Sequence, residues 1–306
     1  MESVAAMSPT AIILVGPEYS RPQSVLDMHL TLPRHRQLLA LVLLFGLLMA
    51  LTGCVRSASG QSAGIILAGS TSVEPFAELL AEEYARLNPG APVINVQGGG
   101  STAGIEAAIS HTADIGMSSR NLKQAESDAG LAAQPIAYDA IAIVVHPLNP
   151  VDSRSSEQVR GIFSGHLRNW RDVGGEDRPI VVVTREEGSG TRGAFEEMLM
   201  QKERISPLAL RQDSNGAVRV IVSSDRAAIG YMSLGIVSDV AKPVALDGVR
   251  PTVEAAIAGK YPLVRPFLFV LNGQPRPAAA RFIDYVLSPE AQSILAREGL
   301  MPVRDE

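Results

Sequence analysis

The residues best suited to chemistry lie in the segment 185–191, which reads Arg-Glu-Glu-Gly-Ser-Gly-Thr. It follows the apolar run 180–183 and precedes a segment with helical spacing from about Gly193, so it predicts a strand, a glycine-rich turn and a helix. The free N–H groups at such a helix start attract an anion, and two hydroxyls add further donors. Arg185 supplies a planar, permanently charged group, so the segment predicts oxyanion binding.

A purely structural interpretation of the same segment stays open at this point. Gly188 and Gly190 would then only permit a tight turn. Ser189 or Thr191 would cap the helix that follows. Strand-glycine-helix turns are common in α/β proteins, so this segment alone does not decide between the two interpretations.

The same arrangement occurs twice more, which favours the anion-binding interpretation. The apolar run 65–68 leads into residues 69–72, Gly-Ser-Thr-Ser, and the run 93–96 leads into residues 98–102, Gly-Gly-Gly-Ser-Thr. Each predicts a strand, a small polar turn and a helix. Three helix N-termini could surround one tetrahedral oxyanion with neutral donors, and Arg185 would balance part of its charge.

A fourth polar group follows the short predicted strand 114–117. Ser118, Ser119 and Arg120 come directly after it, at the rim where parallel strands place their carboxyl ends. Ser119 and Arg120 are therefore candidate ligands. The alternative is a capping role for Ser118 and a solvated Arg120.

The first 53 residues have the features of an export signal. Basic residues at 34–36 precede the apolar run 38–51, which is short for a membrane span. The sequence Leu-Thr-Gly-Cys, ending at Cys54, looks like a bacterial lipobox, in which the cysteine is lipidated. We therefore predict a signal peptide over 1–53 whose true start lies later, near Met28, and a flexible lipid tether over 54–63. The alternative is a plain signal anchor with a chance cysteine.

Composition and motif counts argue against several classes of protein. The net charge is −5, and no basic run suggests a nucleic-acid partner. The single cysteine excludes an intrachain disulfide, and the three widely spaced histidines after the signal segment suggest neither a metal site nor an enzyme. Residues 98–103 formally match a dinucleotide-binding fingerprint, but no acidic residue follows at the required distance.

The repeated strand-helix pattern predicts an α/β fold with mixed, mainly parallel sheets and helices on both faces. Two extended apolar runs, 135–145 and 263–271, predict strands that cross between two domains. We expect residues 64–140 and 264–306 to form a discontinuous first domain and residues 141–263 an inserted second domain. Two hinge strands would join these domains in a clamshell.

Taken together, these motifs resemble one family over nearly all of residues 65–303. The chain is similar to the phosphate-binding lipoproteins of Pst-type phosphate ABC importers, which are type II periplasmic binding proteins. The resemblance rests on the three turns described above and on five further segments: 114–120, 149–151, 162–165, 169–170 and 228–231.

The resemblance implies a phosphate site made from the same turns, with the ligands Thr71, Ser72, Ser101, Arg185, Ser189, Gly190 and Thr191. The residue patterns add Ser70, Ser119 and Arg120 to the expected site. It implies a non-enzymatic solute-binding protein without cofactor or metal. It further implies a monomer that is lipid-anchored outside the cytoplasm through Cys54 and delivers phosphate to membrane permease subunits.

One position departs from the family pattern and leaves the selectivity open. Well-studied members carry an aspartate where this chain has Ser119, and that carboxylate accepts the proton of hydrogen phosphate, which sulfate lacks. A hydroxyl can accept or donate, so rejection of sulfate is an open question here. Asp114 or Asp139 could supply the missing carboxylate. The alternatives are that Asp114 is a strand-start residue and that Asp139 is a partner of Arg185 or Arg120. Sulfate or molybdate binding, and a phosphate-sensing or adhesive lipoprotein, are the alternatives.

Overall fold

The computed structural model describes residues 64–303. The predicted signal peptide, the tether and Cys54 lie outside the described residues. Within 64–303, no helix is both long enough and apolar enough to cross a membrane.

The chain begins with a parallel three-stranded unit. β1 (Ile65–Gly69) pairs in parallel with β2 (Ile94–Gly98) on one side and β3 (Ile115–Ser118) on the other. The connections are helical: α1 (Glu74–Leu87) and α2 (Ser101–Ile109). α1 buries an apolar stripe at helical spacing that includes Phe76, Leu80 and Tyr84, as the sequence predicted. The carboxyl ends of β1 and β2 therefore open directly into two of the polar turns.

Both extended apolar runs are strands. β4 (Leu131–Val145) follows the short helix α3 (Gln124–Asp128), and β10 (Val264–Asn272) runs antiparallel to its first part. From Ile141 onward, β4 instead pairs antiparallel with β8 (Ala228–Ser233) and β9 (Lys242–Leu246). The two expected sheets are thus continuous through β4. The antiparallel pairings of the described strands all involve β4 or β10, because these crossings run against the β-α-β units.

The segment between these crossings holds a second parallel unit. β6 (Val181–Arg185) pairs in parallel with β7 (Leu210–Gln212) and with β8. The remaining elements of this segment are β5 (Ser153–Arg154), α4 (Ser156–Phe163), α5 (Gly190–Phe195) with the π-helical turn Glu196–Met200, α6 (Asn215–Ser224) and α7 (Val253–Ile257). Short 3-10 turns occupy Trp170–Val173 and Leu234–Ile236.

The chain closes with two helices that cover β10 and α1. They are α8 (Pro277–Val286) and α9 (Pro289–Arg297), and the hydroxyl of Ser288 caps the second. The sequence Ser-Pro at 288–289 predicts such an internal restart. Proline fits the first turn of a helix, where its missing N–H is not needed.

Apolar packing forms two large buried clusters. One joins β1, β3 and β10 to the helices α1, α8 and α9, with Phe267, Phe269 and Phe282 fully buried. The other centres on the aromatic rings of Phe163, Phe195 and Tyr231. This architecture confirms the predicted α/β class. The division into domains 64–140 with 264–306 and 141–263 stays a prediction.

Candidate functional site

The turn after β6 brings its backbone close to serine hydroxyls of the neighbouring turns. Ser189 caps α5 by accepting a hydrogen bond from the Arg192 N–H at 3.2 Å, so its own hydrogen remains available to donate. A Cβ on Gly190 would lie 2.2 Å from Ser101 Oγ and 2.6 Å from Ser119 Oγ. Only glycine therefore allows the start of α5 to approach these serines.

The first group of hydroxyls joins three elements. Ser70 Oγ donates to Ser119 Oγ at 2.8 Å, and the Ser119 N–H donates to Ser101 Oγ at 3.0 Å. Ser101 Oγ and Ser119 Oγ lie 3.4 Å apart. All three side chains are buried. The structure thus brings the ends of β1, β2 and β3 to one point, as the sequence analysis expected.

A second hydroxyl pair links the first turn to α5. Ser72 Oγ and Thr191 Oγ1 lie 2.8 Å apart, and both residues are buried. The turns after β1 and β6 therefore meet directly. A further backbone bond, from the Thr102 N–H to Gly188 O at 3.0 Å, joins the turns after β2 and β6. The three predicted turns converge on one region.

Arg185 supplies the positive charge of this region. Its side chain is 1% exposed, and its Nη2 donates to Thr71 Oγ1 at 3.1 Å. Glu186 accepts from Nε and Nη2, each at 3.0 Å. The Nη1 atom is buried and has no hydrogen-bond partner among residues 64–303. A buried charged donor without a partner is strongly unfavourable, so this atom fits an anionic ligand.

Tyr231 holds the backbone of Arg185 in place. Its phenol oxygen accepts from the Arg185 N–H at 3.3 Å and lies 2.8 Å from Thr184 Oγ1. Burial raises the pKa of Tyr231 to about 12, so the ring stays a neutral phenol at ordinary pH. The arginine is therefore anchored through both its backbone and its side chain.

The Arg120 guanidinium is held mainly by Glu126 and reaches one hydroxyl of the turns, Thr102 Oγ1, at 3.5 Å. Its Nη1 and Nη2 donate to the two carboxylate oxygens of Glu126, each at 2.8 Å. The hydrogen bonds from Arg120 lower the pKa of the Glu126 carboxyl, while partial burial opposes the shift. The role of Arg120 as an anion ligand stays a prediction.

The two aspartates considered as substitutes for an acidic residue at 119 have other partners. Asp114 accepts from the Ile66 N–H at 2.9 Å and pairs with Arg276, which agrees with a strand-start role. The expectation that Asp139 pairs with Arg185 or Arg120 is wrong. Asp139 pairs with Arg265 at 2.9 Å, because the two residues are opposite each other in the β4–β10 register.

Sequence reasoning missed Arg265 and Asn215, which both touch the site. Arg265 Nη1 donates to Ser119 O at 3.2 Å, and Asn215 Nδ2 donates to Ser72 Oγ at 2.8 Å. Burial raises the pKa of Asp139, and the Arg265 guanidinium opposes that rise. The sequence feature that could have identified Arg265 is its position as a single arginine inside the apolar run 263–271. A buried arginine is rare unless its charge has a buried partner.

No group of three or more histidine, cysteine, aspartate or glutamate residues within 64–303 is arranged to hold a metal ion. The hydrogen-bond donors of the site are the hydroxyls of the three turns, the N–H groups at the start of α5 and the Arg185 guanidinium. Such groups donate hydrogen bonds to an oxyanion, whereas a cation requires oxygen or nitrogen acceptors.

Comparisons with known proteins identify related sequences and structures. The family model of the PBP superfamily domain matches residues 56–290. The phosphate-binding protein PstS of Bacillus subtilis (strain 168) is 30% identical over 256 residues, covering 81% of this chain and 85% of that protein.

Two solved structures are also similar over their whole length. An X-ray structure from Clostridium perfringens, described as a phosphate ABC transporter substrate-binding protein with bound phosphate, is 40% identical with a TM-score of 0.77. The match covers 79% of this chain and 100% of that one. An ABC-type phosphate transport receptor from Vibrio cholerae is 36% identical with a TM-score of 0.66, covering 78% and 100%.

Proposed function

Because the chain belongs to the PBP superfamily and, within it, to the PstS-type phosphate-binding proteins of ABC transporters, we propose that it captures inorganic phosphate outside the cytoplasm and delivers it to an ABC-type importer. It acts as a solute-binding protein, not as an enzyme. The phosphate lies where the turns after β1, β2 and β6 meet.

One observation carries this proposal: the buried Nη1 of Arg185 has no partner among the described residues. It lies in a region of buried hydroxyls that includes Ser72, Ser101 and Thr191. A phosphate oxygen bound to Nη1 would satisfy that donor and form a charge-assisted hydrogen bond. The hydroxyls of Ser101 and Thr191 and the N–H groups at the start of α5 would hold the remaining oxygens.

The attachment and assembly of the protein are part of the same proposal. PstS-type proteins work outside the cytoplasm, and Cys54 would carry the lipid that keeps this one at the membrane. Residues 54–63 would give the binding domains reach toward the permease. The protein would act as a monomer with two hinged domains, 64–140 with 264–306 and 141–263.

A titration tests the proposal on protein that starts after Cys54. Isothermal calorimetry with phosphate, sulfate and molybdate should give saturable one-to-one binding for phosphate, weaker but measurable binding for sulfate, and weaker or no binding for molybdate. Thermal unfolding should shift upward with phosphate, since a ligand that binds only the folded state stabilises it. Tight binding of sulfate or molybdate without phosphate would replace phosphate by that oxyanion. Absence of binding to all three would reject oxyanion capture.

A further inference from the structure

A buried ion pair lies directly behind the hydroxyls of the candidate site. Arg265 Nε and Nη2 donate to Asp139 Oδ2 at 3.1 and 2.9 Å, and Ser233 Oγ donates to Asp139 Oδ1 at 2.8 Å. The side chains of Arg265 and Asp139 are 1% and 0% exposed. Burying two charges carries a large desolvation penalty, so such a pair is weak grounds for stability. Its contacts with the site point to a positioning role.

The remaining donors of Arg265 reach two of the polar turns. Nη1 donates to Ser119 O at 3.2 Å, and Nη2 donates to Ser72 Oγ at 3.3 Å. The guanidinium therefore connects the long strands β4 and β10 to the turns after β1 and β3. Because the group is planar and held on Asp139, its donors have fixed directions.

The hydroxyl of Ser72 has no free lone pair in this arrangement. It accepts from Arg265 Nη2 and from Asn215 Nδ2, the latter at 2.8 Å. The Asn215 amide is oriented by its Oδ1, which accepts from the Ser233 N–H at 3.3 Å. A hydroxyl has one hydrogen and two lone pairs, so the Ser72 hydrogen must go to Thr191 Oγ1 at 2.8 Å.

We infer that Arg265 and Asn215 are positioning residues that fix the direction of this chain of hydroxyls, so that the Thr191 hydrogen is kept free for the bound oxyanion. Without the two donors, Ser72 can accept from Thr191, and Thr191 then turns lone pairs toward the ligand. A lone pair suits a protonated oxygen, whereas a free hydrogen suits an unprotonated one.

The inference rests on the proposed function and specifies the ligand further. A donor held at this corner requires an unprotonated phosphate oxygen there. The site should therefore prefer the dianion of phosphate, which has one more unprotonated oxygen than the monoanion. That preference should depend on Arg265 and Asn215, although neither needs to touch the phosphate.

Two variants test this by calorimetry with inorganic phosphate below and above the second pKa of phosphate. Arg265→Lys keeps the charge beside Asp139 but cannot reach both Ser119 and Ser72. Asn215→Ala removes the amide and leaves the ion pair in place, so it reports even if the first variant unfolds. Each should weaken phosphate binding about tenfold above that pKa and less than about threefold below it.

Matched controls separate positioning from damage to the fold. Arg276→Lys changes the same kind of aspartate pair, with Asp114, and should alter neither the affinity nor its pH dependence. The charged or titratable groups around the hydrogen-bonded hydroxyls of Ser72 and Thr191 are Asp139, Arg265, Arg185, Glu186, Arg192 and Tyr231. Both test variants preserve the formal charge at each of these positions.

Each outcome decides the matter. A flatter pH profile in both test variants supports the inference. Equal losses of phosphate affinity at both pH values would mean that the two residues have only a structural role. Unchanged affinity would mean that they do not influence binding. Either result overturns the inference. If wild type binds phosphate without preferring the dianion, the inference fails while the proposed function stands. If wild type binds no phosphate, both fail.

Discussion

At the scale of single residues, Arg185 combines full burial with an unused charged donor. Two of its three nitrogens are held by Glu186, Thr71 and backbone carbonyls, so the guanidinium cannot turn away from the site. The third, Nη1, faces no acceptor within 64–303. Pre-orientation of this kind lowers the entropy lost when an anion binds.

Arg185→Ala should therefore weaken phosphate binding by about 2 to 5 kcal/mol, because the anion loses its adjacent charged donor. Calorimetry on wild type and variant measures the difference. Arg211→Ala is the control, since it removes a positive charge from an exposed side chain on neighbouring β7. Affinity unchanged in Arg185→Ala, or an equal loss in both variants, would contradict the proposed site.

The acceptor and donor capacity of Ser119 should set the selectivity between phosphate and sulfate. Its oxygen already accepts from Ser70 Oγ at 2.8 Å and lies 3.4 Å from Ser101 Oγ, so at most one lone pair and one hydrogen remain. Such a group can face a protonated or an unprotonated oxygen. Wild type should therefore bind sulfate measurably, although more weakly than phosphate.

Ser119→Asp should depress sulfate binding more than phosphate binding and make phosphate affinity depend more steeply on pH. A carboxylate repels a fully deprotonated oxyanion but accepts the proton of hydrogen phosphate. Competition of sulfate against labelled phosphate at several pH values measures this. Ser119→Asn, which has a similar shape without the charge, is the control. Complete exclusion of sulfate by wild type would show that another acceptor sets the selectivity.

At the scale of elements, the start of α5 depends on glycine at one position and not at another. A Cβ on Gly190 would collide with the Ser101 and Ser119 hydroxyls, whereas a Cβ on Gly188 would meet only Thr102 Cβ at 3.8 Å. The first contact is far inside van der Waals distance and the second is ordinary. The two glycines, which the sequence could not distinguish, therefore have different roles.

Gly190→Ala should reduce phosphate affinity at least about tenfold, because α5 must move away from the serines that share the ligand. Gly188→Ala should change it by less than about threefold. Calorimetry gives both affinities, and thermal unfolding without ligand shows whether either fold is damaged. Similar losses in the two variants would argue against a close approach at Gly190 as the reason for glycine there.

At the scale of the whole molecule, the proposed lipid anchor is Cys54, which lies outside the described residues. Cys54→Ser should yield a soluble protein released from cells, because the proposed lipid on that side chain is the only anchor in the proposal. Fractionation followed by immunoblotting measures the distribution, and Ser57→Ala is a control in the same segment. Retention of Cys54→Ser at the membrane would mean that residues 38–51 act as a permanent anchor.

Local sequence patterns predicted the class of fold and the turns that meet at the candidate site. Apolar periodicity and small polar turns are local features, so they predicted β1, α1, β6 and the restart at Ser288. They also predicted that hydroxyls would gather at one edge, since the carboxyl ends of parallel strands lie together. The start of α5 was placed near Gly193 instead of Gly190, because the cap at Ser189 lies inside the glycine-rich turn.

The partners of the buried charges follow from the three-dimensional fold and were not predicted from the sequence. Asp139 and Arg265 are 126 positions apart, and their pairing follows from the register of β4 against β10. The partner of the Arg120 guanidinium is likewise a residue brought close by the fold, Glu126 on the short helix α3. Hydrophobic spacing is a property of neighbouring residues, whereas a buried charge needs a partner in space that sequence spacing does not reveal.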